Sequence, residues 1–161
     1  VTTEEYNTCV DKHADGVYRF ILHSLRDEEL ARDIVQDAFE KMWLNVAGIN
    51  PEKSKSYLFT TAYNTMLTRI RRDKKQGRWE EVDEEDHSHS WNFSDLKEIL
   101  RIALNRLPVI QRTVILLRDY EGYSYEEIGE ITSLSGSQVK VYIYRARLAL
   151  KEFIGKPENI I

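Results

Sequence analysis

Apolar residues recur every three or four positions through most of this chain, and no segment alternates convincingly with a period of two. Side chains three and four apart share one face of a helix, whereas a strand needs alternation, so this pattern confines the fold to packed helices. Tyr6, Val10, His13, Val17, Phe20 and Ser24 begin the series, with Cys9, Ile21 and Leu25 widening the stripe. A second helix is expected after Asp27, whose carboxylate suits an N-cap, running to about Asn45. A third runs from about Ser54 to Arg72, beyond a break at Gly48 to Pro51. Leu96, Ile99, Leu100, Ala103 and Leu107 form a fourth that Pro108 stops; Ile110, Val114 and Leu117 form a fifth ending near Gly122. Three prolines and seven glycines leave long helices few interruptions. The expected class is all-α.

Charge divides the chain into parts. A net charge of −4 argues at first against nucleic acid, whose binders are usually basic. The average conceals an uneven distribution. Residues 1–78 carry 13 Lys/Arg against 12 Asp/Glu, residues 79–98 carry one against eight, and residues 99–161 carry nine against seven. Arg69, Arg71, Arg72, Lys74, Lys75 and Arg78 cluster beside a single acid, Asp73, and Lys140, Arg145, Arg147 and Lys151 fall on one later helix. Between them Glu80 to Ser90 is polar and lacks apolar periodicity, which reads as a flexible acidic linker. Two small helical domains are expected, 1–78 and 96–161, with 79–95 as the tether.

Several classes fall away. The lone Cys9 excludes an intramolecular disulfide and a cysteine-rich zinc site, and reads as a core residue of the first helix. His87 and His89 on the acidic tether make a poor metal site, so neither a metal nor a cofactor is expected. No apolar run reaches the roughly 18 residues that span a bilayer, and the N-terminus lacks a signal-peptide plan, so the expected location is cytoplasmic, with no membrane insertion.

Three helical faces carry candidate chemistry. On the second helix Ala31, Ile34, Val35, Ala38 and Met42 group on one side, while Glu29, Asp33, Gln36, Asp37 and Glu40 lie opposite. That acidic side is either a solvated face or a docking surface for a basic protein. On the third, Tyr57, Thr61, Asn64, Thr68 and Arg71 share a stripe opposite Leu58, Phe59, Ala62, Met66 and Ile70. Aromatic faces stack on bases, amides reach base edges and cations follow phosphates, so the stripe suits single-stranded nucleic acid, although each residue is also ordinary on a half-exposed helix. Near the C-terminus, Ser124-Tyr125-Glu126-Glu127 is a capping box, and Ser135 caps the next helix at Gly136-Ser137-Gln138. Small Gly129 and apolar Val139 stand where two helices of a helix-turn-helix touch. Val139, Ile143, Ala146 and Leu150 face inward, and Gln138, Lys140, Val141, Tyr144, Arg145 and Arg147 face outward, as on a recognition helix that enters the major groove. A plain helical hairpin is the alternative.

Three blocks, in order, resemble the extracytoplasmic-function (group 4) sigma factors of bacterial RNA polymerase. They are Glu29 to Trp43, similar to the core-binding helix of region 2.2; Tyr57 to Asn64 with Arg71-Arg72, similar to the helix of regions 2.3 and 2.4; and Leu107 to Arg147, similar to region 4. The resemblance implies an alternative sigma factor, not an enzyme, that binds polymerase core and directs promoter recognition, DNA opening and transcription initiation. Asp33, Gln36, Asp37 and Glu40 would dock on the β′ clamp helices, with the β flap as a second contact. Tyr57, Thr61, Asn64, Thr68, Arg71 and Arg72 would meet the single-stranded minus-10 element, with Asn64 near a flipped base, Tyr57 where the family usually has Trp, and the loop Asn45 to Ser54 forming part of a base pocket. Ser137, Gln138, Lys140, Val141, Tyr144 and Arg145 would read the duplex minus-35 element. The acidic linker would thread toward the polymerase active-site and RNA-exit path, and an anti-sigma factor is implied as regulator. Leu30 departs from the family's usual acid, and Ser135-Gly136-Ser137-Gln138 from its usual Pro-x-Gly-Thr. A helix-turn-helix regulator acting without polymerase, or a helical protein-interaction module, would each leave one or more of the three faces without a task.

Overall fold

The computed structural model describes residues 1–77 and 96–155, and the described residues are helical without strands. The acidic tether with His87 and His89, and Arg78 of the basic cluster, lie outside the described residues. Helix α1 (Thr3–Leu25) opens on a capping box between Thr2 and Glu5. Helix α2 (Glu28–Leu44) starts where Asp27 accepts a hydrogen bond from the Leu30 amide at 3.1 Å, and α3 (Ser54–Lys75) follows two short 3-10 turns, Val46–Gly48 and Pro51–Lys53. In the second lobe α4 (Leu96–Arg106) stops ahead of Pro108, and α5 (Val109–Ile115) passes into a π-helical turn, Leu116–Tyr120. Helices α6 (Tyr125–Thr132) and α7 (Gly136–Ile154) complete it. Every helix expected from periodicity is present, and α3 extends to Lys75.

Burial explains why these stripes are apolar. Phe20, Ile21, Ile34, Met42, Leu58, Phe59 and Met66 fill the first lobe, with Cys9 buried among them, and Leu116, Leu117, Ile128, Val139 and Ile143 fill the second. Both capping boxes of the C-terminal hairpin form: Ser124 with Glu127, and Ser135 with Gln138. Ser133, in the left-handed region at φ 62°, turns the chain between α6 and α7. At the crossing a Cβ on Gly129 would stand 2.9 Å from the Leu134 carbonyl oxygen, closer than packed atoms tolerate. Gly129→Ala is therefore expected to destabilise the second lobe by about 1–3 kcal/mol, measured by denaturant unfolding.

The two lobes pack directly on one another, and their buried residues form one continuous cluster. Tyr123, 1% exposed, reaches the first lobe and meets Phe59 edge-on at 5.0 Å, beneath the Lys55 ammonium at 4.3 Å. Arg112 donates to the Ser24 carbonyl at 2.7 Å and the Leu107 carbonyl at 3.3 Å. Arg19 and Glu121 pair through two hydrogen bonds, 3.0 and 2.9 Å. Burial, with Arg26 nearby, pulls Arg112 down to about 10, still charged at neutral pH.

Two histidines of α1 lie along this seam. Burial, reinforced by Arg19 and Arg101 and opposed by Glu121, holds His23 below its ordinary value beside the Tyr120 ring. Burial with Lys55 and Lys12 does the same to His13. A histidine whose folded pKa is depressed binds its proton more readily when unfolded. The stability it supports is complete above the unfolded value of about 6.5 and is lost as pH falls from there toward the lower folded value. The melting temperature should fall between about pH 7 and pH 5, and His13→Gln with His23→Gln should flatten that decline.

Candidate protein and nucleic-acid interfaces

Helix α2 turns Ala31, Ile34, Val35, Ala38 and Met42 into the core, leaving Asp33, Gln36, Asp37 and Glu40 exposed on the other side. The acids therefore form a continuous solvent-facing strip on a rigid element. Such a strip attracts a basic protein surface at long range, and salt weakens the attraction.

On α3 Asn64, Thr68, Arg71 and Arg72 are exposed, while Tyr57 and Thr61 are half-buried. The hydroxyls are less free than the sequence pattern implies: Thr61 donates to the Tyr57 carbonyl at 2.7 Å, and Thr68 to the Asn64 carbonyl at 2.9 Å. Within a helix a threonine hydroxyl reaches its own i−4 carbonyl, so these two keep only acceptor capacity for a ligand. The Asn64 side chain remains exposed among them. The basic cluster sharpens in the opposite sense. Asp73, its one acid, is buried and paired with Arg69 at 3.3 Å, so Arg71, Arg72 and Lys75 present positive charge to solvent without it.

Beside Tyr57 the loop after α2 encloses an open cavity of ≈ 440 Å³ lined by Leu44, Asn45, Ala47, Gly48, Ile49 and Tyr57. Its size suits a planar ring, and its lining combines an aromatic face, apolar walls and an amide. Trp43 and Leu44, 45% and 81% exposed, stand at the end of α2, where Trp43 packs edge-on against Tyr6 at 5.0 Å. Sequence reasoning placed the loop near such a pocket but did not single out Leu44, Asn45 or Ile49; two large apolar side chains ending a polar helix face were the available signal.

On α7 Ser137, Gln138, Lys140, Val141, Tyr144 and Arg145 are all exposed, opposite buried Val139, Ile143 and Ala146. Two outward residues need amendment. Arg147 is held by Asp119 at 2.7 Å, across to the π-helical turn, so it braces the hairpin. The Gln138 side-chain oxygen accepts from the Ser135 amide at 2.9 Å to complete the capping box. Its NH2 group remains a donor, which in this conformation suits guanine or thymine acceptors better than the paired donor and acceptor of adenine. Glu127, bonded to the Ser124 amide, is correspondingly held below the usual carboxylate range.

Among the described residues no group of three or more His, Cys, Asp or Glu side chains is placed to hold a metal, and no helix is long and apolar enough to cross a membrane.

Comparison with known proteins gives consistent matches. The family Sigma-70 region 2 matches residues 9–76, and Sigma-70, region 4 matches residues 97–150. RNA polymerase sigma factor SigV of Bacillus subtilis is 32% identical over 147 residues, covering 86% of this chain and 84% of that protein. ECF RNA polymerase sigma factor SigM of the same organism is 26% identical over 155 residues, covering 91% and 93%. The fold is similar to that of the sigma factor RpoE of Bartonella quintana, solved in complex with the anti-sigma factor NepR. That likeness has a TM-score of 0.78 and 24% identity, covering 96% of this chain and 99% of the other.

Proposed function

Since the chain belongs to the sigma-70 family, as an extracytoplasmic-function sigma factor of RNA polymerase, we propose that its two lobes divide promoter recognition between the three exposed faces. It is an alternative sigma factor that directs promoter recognition and transcription initiation, and its partners are polymerase core and promoter DNA. The sigma factor family is not a class of enzymes. Residues 1–78 act as region 2, 79–95 as the linker and 96–161 as region 4, in the cytoplasm. Asp33, Gln36, Asp37 and Glu40 dock on the β′ clamp helices, and region 4 rests on the β flap. Tyr57, Thr61, Asn64, Thr68, Arg71 and Arg72 handle the melted minus-10 strand, with the cavity beside Tyr57 receiving a flipped base. Ser137, Gln138, Lys140, Val141, Tyr144 and Arg145 read the minus-35 duplex. An anti-sigma factor regulates the chain, as the complex of the Bartonella relative supports.

The observation that carries this reading is the coexistence of an exposed recognition face on α7 with an exposed acidic strip on α2, each on a helix whose other side is buried. A regulator working without polymerase needs only the first. Reconstitution decides between them: a stable complex with bacterial core enzyme and promoter-specific transcription are expected. Tight duplex binding without core, and no transcription with it, would overturn the reading. Arg145→Ala should weaken binding to the minus-35 duplex by about 1–3 kcal/mol and reduce its salt dependence if the guanidinium also neutralises a phosphate. A titration of promoter fragments at two salt concentrations reads both effects.

A further inference from the structure

The three faces assigned above leave one cavity without a task. It has a volume of ≈ 230 Å³, with Lys12, His13 and Lys55 in its lining and the rings of Phe59 and Tyr123 as apolar walls. Gly16 of α1 also lines it, and a Cβ there would stand 3.3 Å from the Glu121 carboxylate and 3.7 Å from the Phe59 ring. A side chain at this position would take up space that the cavity now holds. Helix interiors disfavour glycine, so one retained in the middle of a 23-residue helix calls for a packing or ligand reason.

The charges of the lining do not balance. Of its two acids, Glu121 accepts from Arg19 with both oxygens, at 3.0 and 2.9 Å, and Asp15 lies near enough on α1 to stabilise the same guanidinium. Both are thereby committed to one cation. Among the described residues neither Lys12 nor Lys55 forms an ion pair. The Lys55 ammonium rests 4.3 Å from the centre of the Tyr123 ring, and Glu127, whose carboxylate feels it, is bonded to the Ser124 amide at 3.0 Å. The first turn of α3, where Lys55 stands, contains no acid, so the positive end of that helix dipole adds to the same field. Burial, then Lys55 and Lys12, hold His13 below its ordinary value, which marks the lysines as uncompensated neighbours.

We propose that this cavity binds a phosphate group, as the free ion or as a small phosphomonoester, through the Lys12 and Lys55 ammonium groups and the His13 imidazolium. Three cationic groups that oppose one another when alone are stabilised by an oxyanion shared between them, through charge-assisted hydrogen bonds. Size limits the ligand. Cavities for drug-sized molecules begin at about 300 Å³, so ≈ 230 Å³ suits a phosphate with few further atoms better than a whole nucleotide. None of the three cations belongs to the acidic strip of α2, the minus-10 stripe of α3 or the reading face of α7, so the site stands independently of the roles proposed for those faces.

Calorimetric titration of the full chain with orthophosphate and with glycerol 3-phosphate tests this. Tighter binding of the ester assigns the ligand as a phosphomonoester, and equal or weaker binding assigns it as the free ion. Lys55→Gln should weaken binding by at least about tenfold, and Lys12→Gln with Lys55→Gln should abolish it, with helix content unchanged by circular dichroism. Arg71→Gln with Arg72→Gln, which discharges the basic end of α3, should leave it unchanged. The His13 ring resonances, assigned through His13→Gln, give a readout that a structural effect would not move. Saturating phosphate should strengthen proton binding by His13 about tenfold and leave His23, beside the Tyr120 ring, as it was. Binding and protonation are linked, so a sulfate ion, whose charge is constant from about pH 7.5 to pH 5.5, should bind about tenfold tighter at the lower pH. His13→Gln should lose that dependence. Absence of binding by both phosphate compounds, retained binding in the double lysine variant, loss of binding in the double arginine variant, or a His13 resonance that titrates unchanged in saturating phosphate would each overturn the site.

Discussion

Reversing the charge of the α2 strip, by Asp33→Lys with Asp37→Lys, is expected to weaken binding to polymerase core on the order of 100-fold, equivalent to about 3 kcal/mol. Both carboxylates are exposed on a helix whose opposite side is sealed in the core, so the substitution alters surface potential and leaves packing intact. Neither residue caps the helix, a role taken by Asp27, and the folded chain should keep its melting temperature within a degree or two, since surface changes away from such features cost about 0.5 kcal/mol or less. Two basic groups placed against a basic partner lose attraction and add repulsion, and the defect should shrink as salt screens both. Fluorescence anisotropy of labelled protein titrated with core at two ionic strengths measures the loss. Unchanged affinity would mean that the strip is merely solvated and that region 2 docks through another face.

That strip was legible in the sequence because its signals are local. An N-cap such as Asp27, a capping box such as Ser124 with Glu127, a stop such as Pro108 and a 3.6-residue stripe all act within a few residues of themselves, and each helix they mark is present. The close approach at Gly129 was legible for the same reason: both helices it joins are adjacent in sequence. The seam left no such trace. Tyr123 follows a glycine in a turn, where periodicity has ended, and its burial depends on Phe59 and Lys55 of the other lobe. Arg112 carries no local signal of burial, yet it is buried and donates to the Ser24 carbonyl at the end of α1. Pattern also overstated the freedom of polar groups. Thr61 and Thr68 belong to the predicted stripe but spend their hydrogens on their own helix, Gln138 spends its oxygen on a cap, and Arg147 is held by Asp119. Spacing specifies which face a residue occupies; the partners available on that face decide what remains to meet a ligand.

This distinction makes Asn64 the sharpest test of the minus-10 face. Of the stripe's uncharged polar residues, the two threonines have donated their hydroxyl protons to the backbone, and Tyr57 is half-buried against the loop cavity. Asn64 alone among them combines an exposed position with an amide that carries two donors and an acceptor, the groups that recognise a base edge. In duplex DNA the Watson–Crick edges are paired, so an amide that engages them stabilises the separated strand over the duplex. Asn64→Ala should therefore lower formation of the open promoter complex by about 1–3 kcal/mol, on the order of 10- to 100-fold, while affinity for core stays as in the parent because the α2 strip is untouched. Fold stability should change little, since alanine is the better helix former at an exposed position. Permanganate footprinting of the melted region, run beside a core-binding titration, separates the two effects. A promoter already opened by mismatches at the minus-10 element should recover most of the loss if Asn64 acts by favouring strand separation, and none of it if Asn64 serves only to hold the fold. Equal loss of core binding and opening would remove Asn64 from the DNA-reading face.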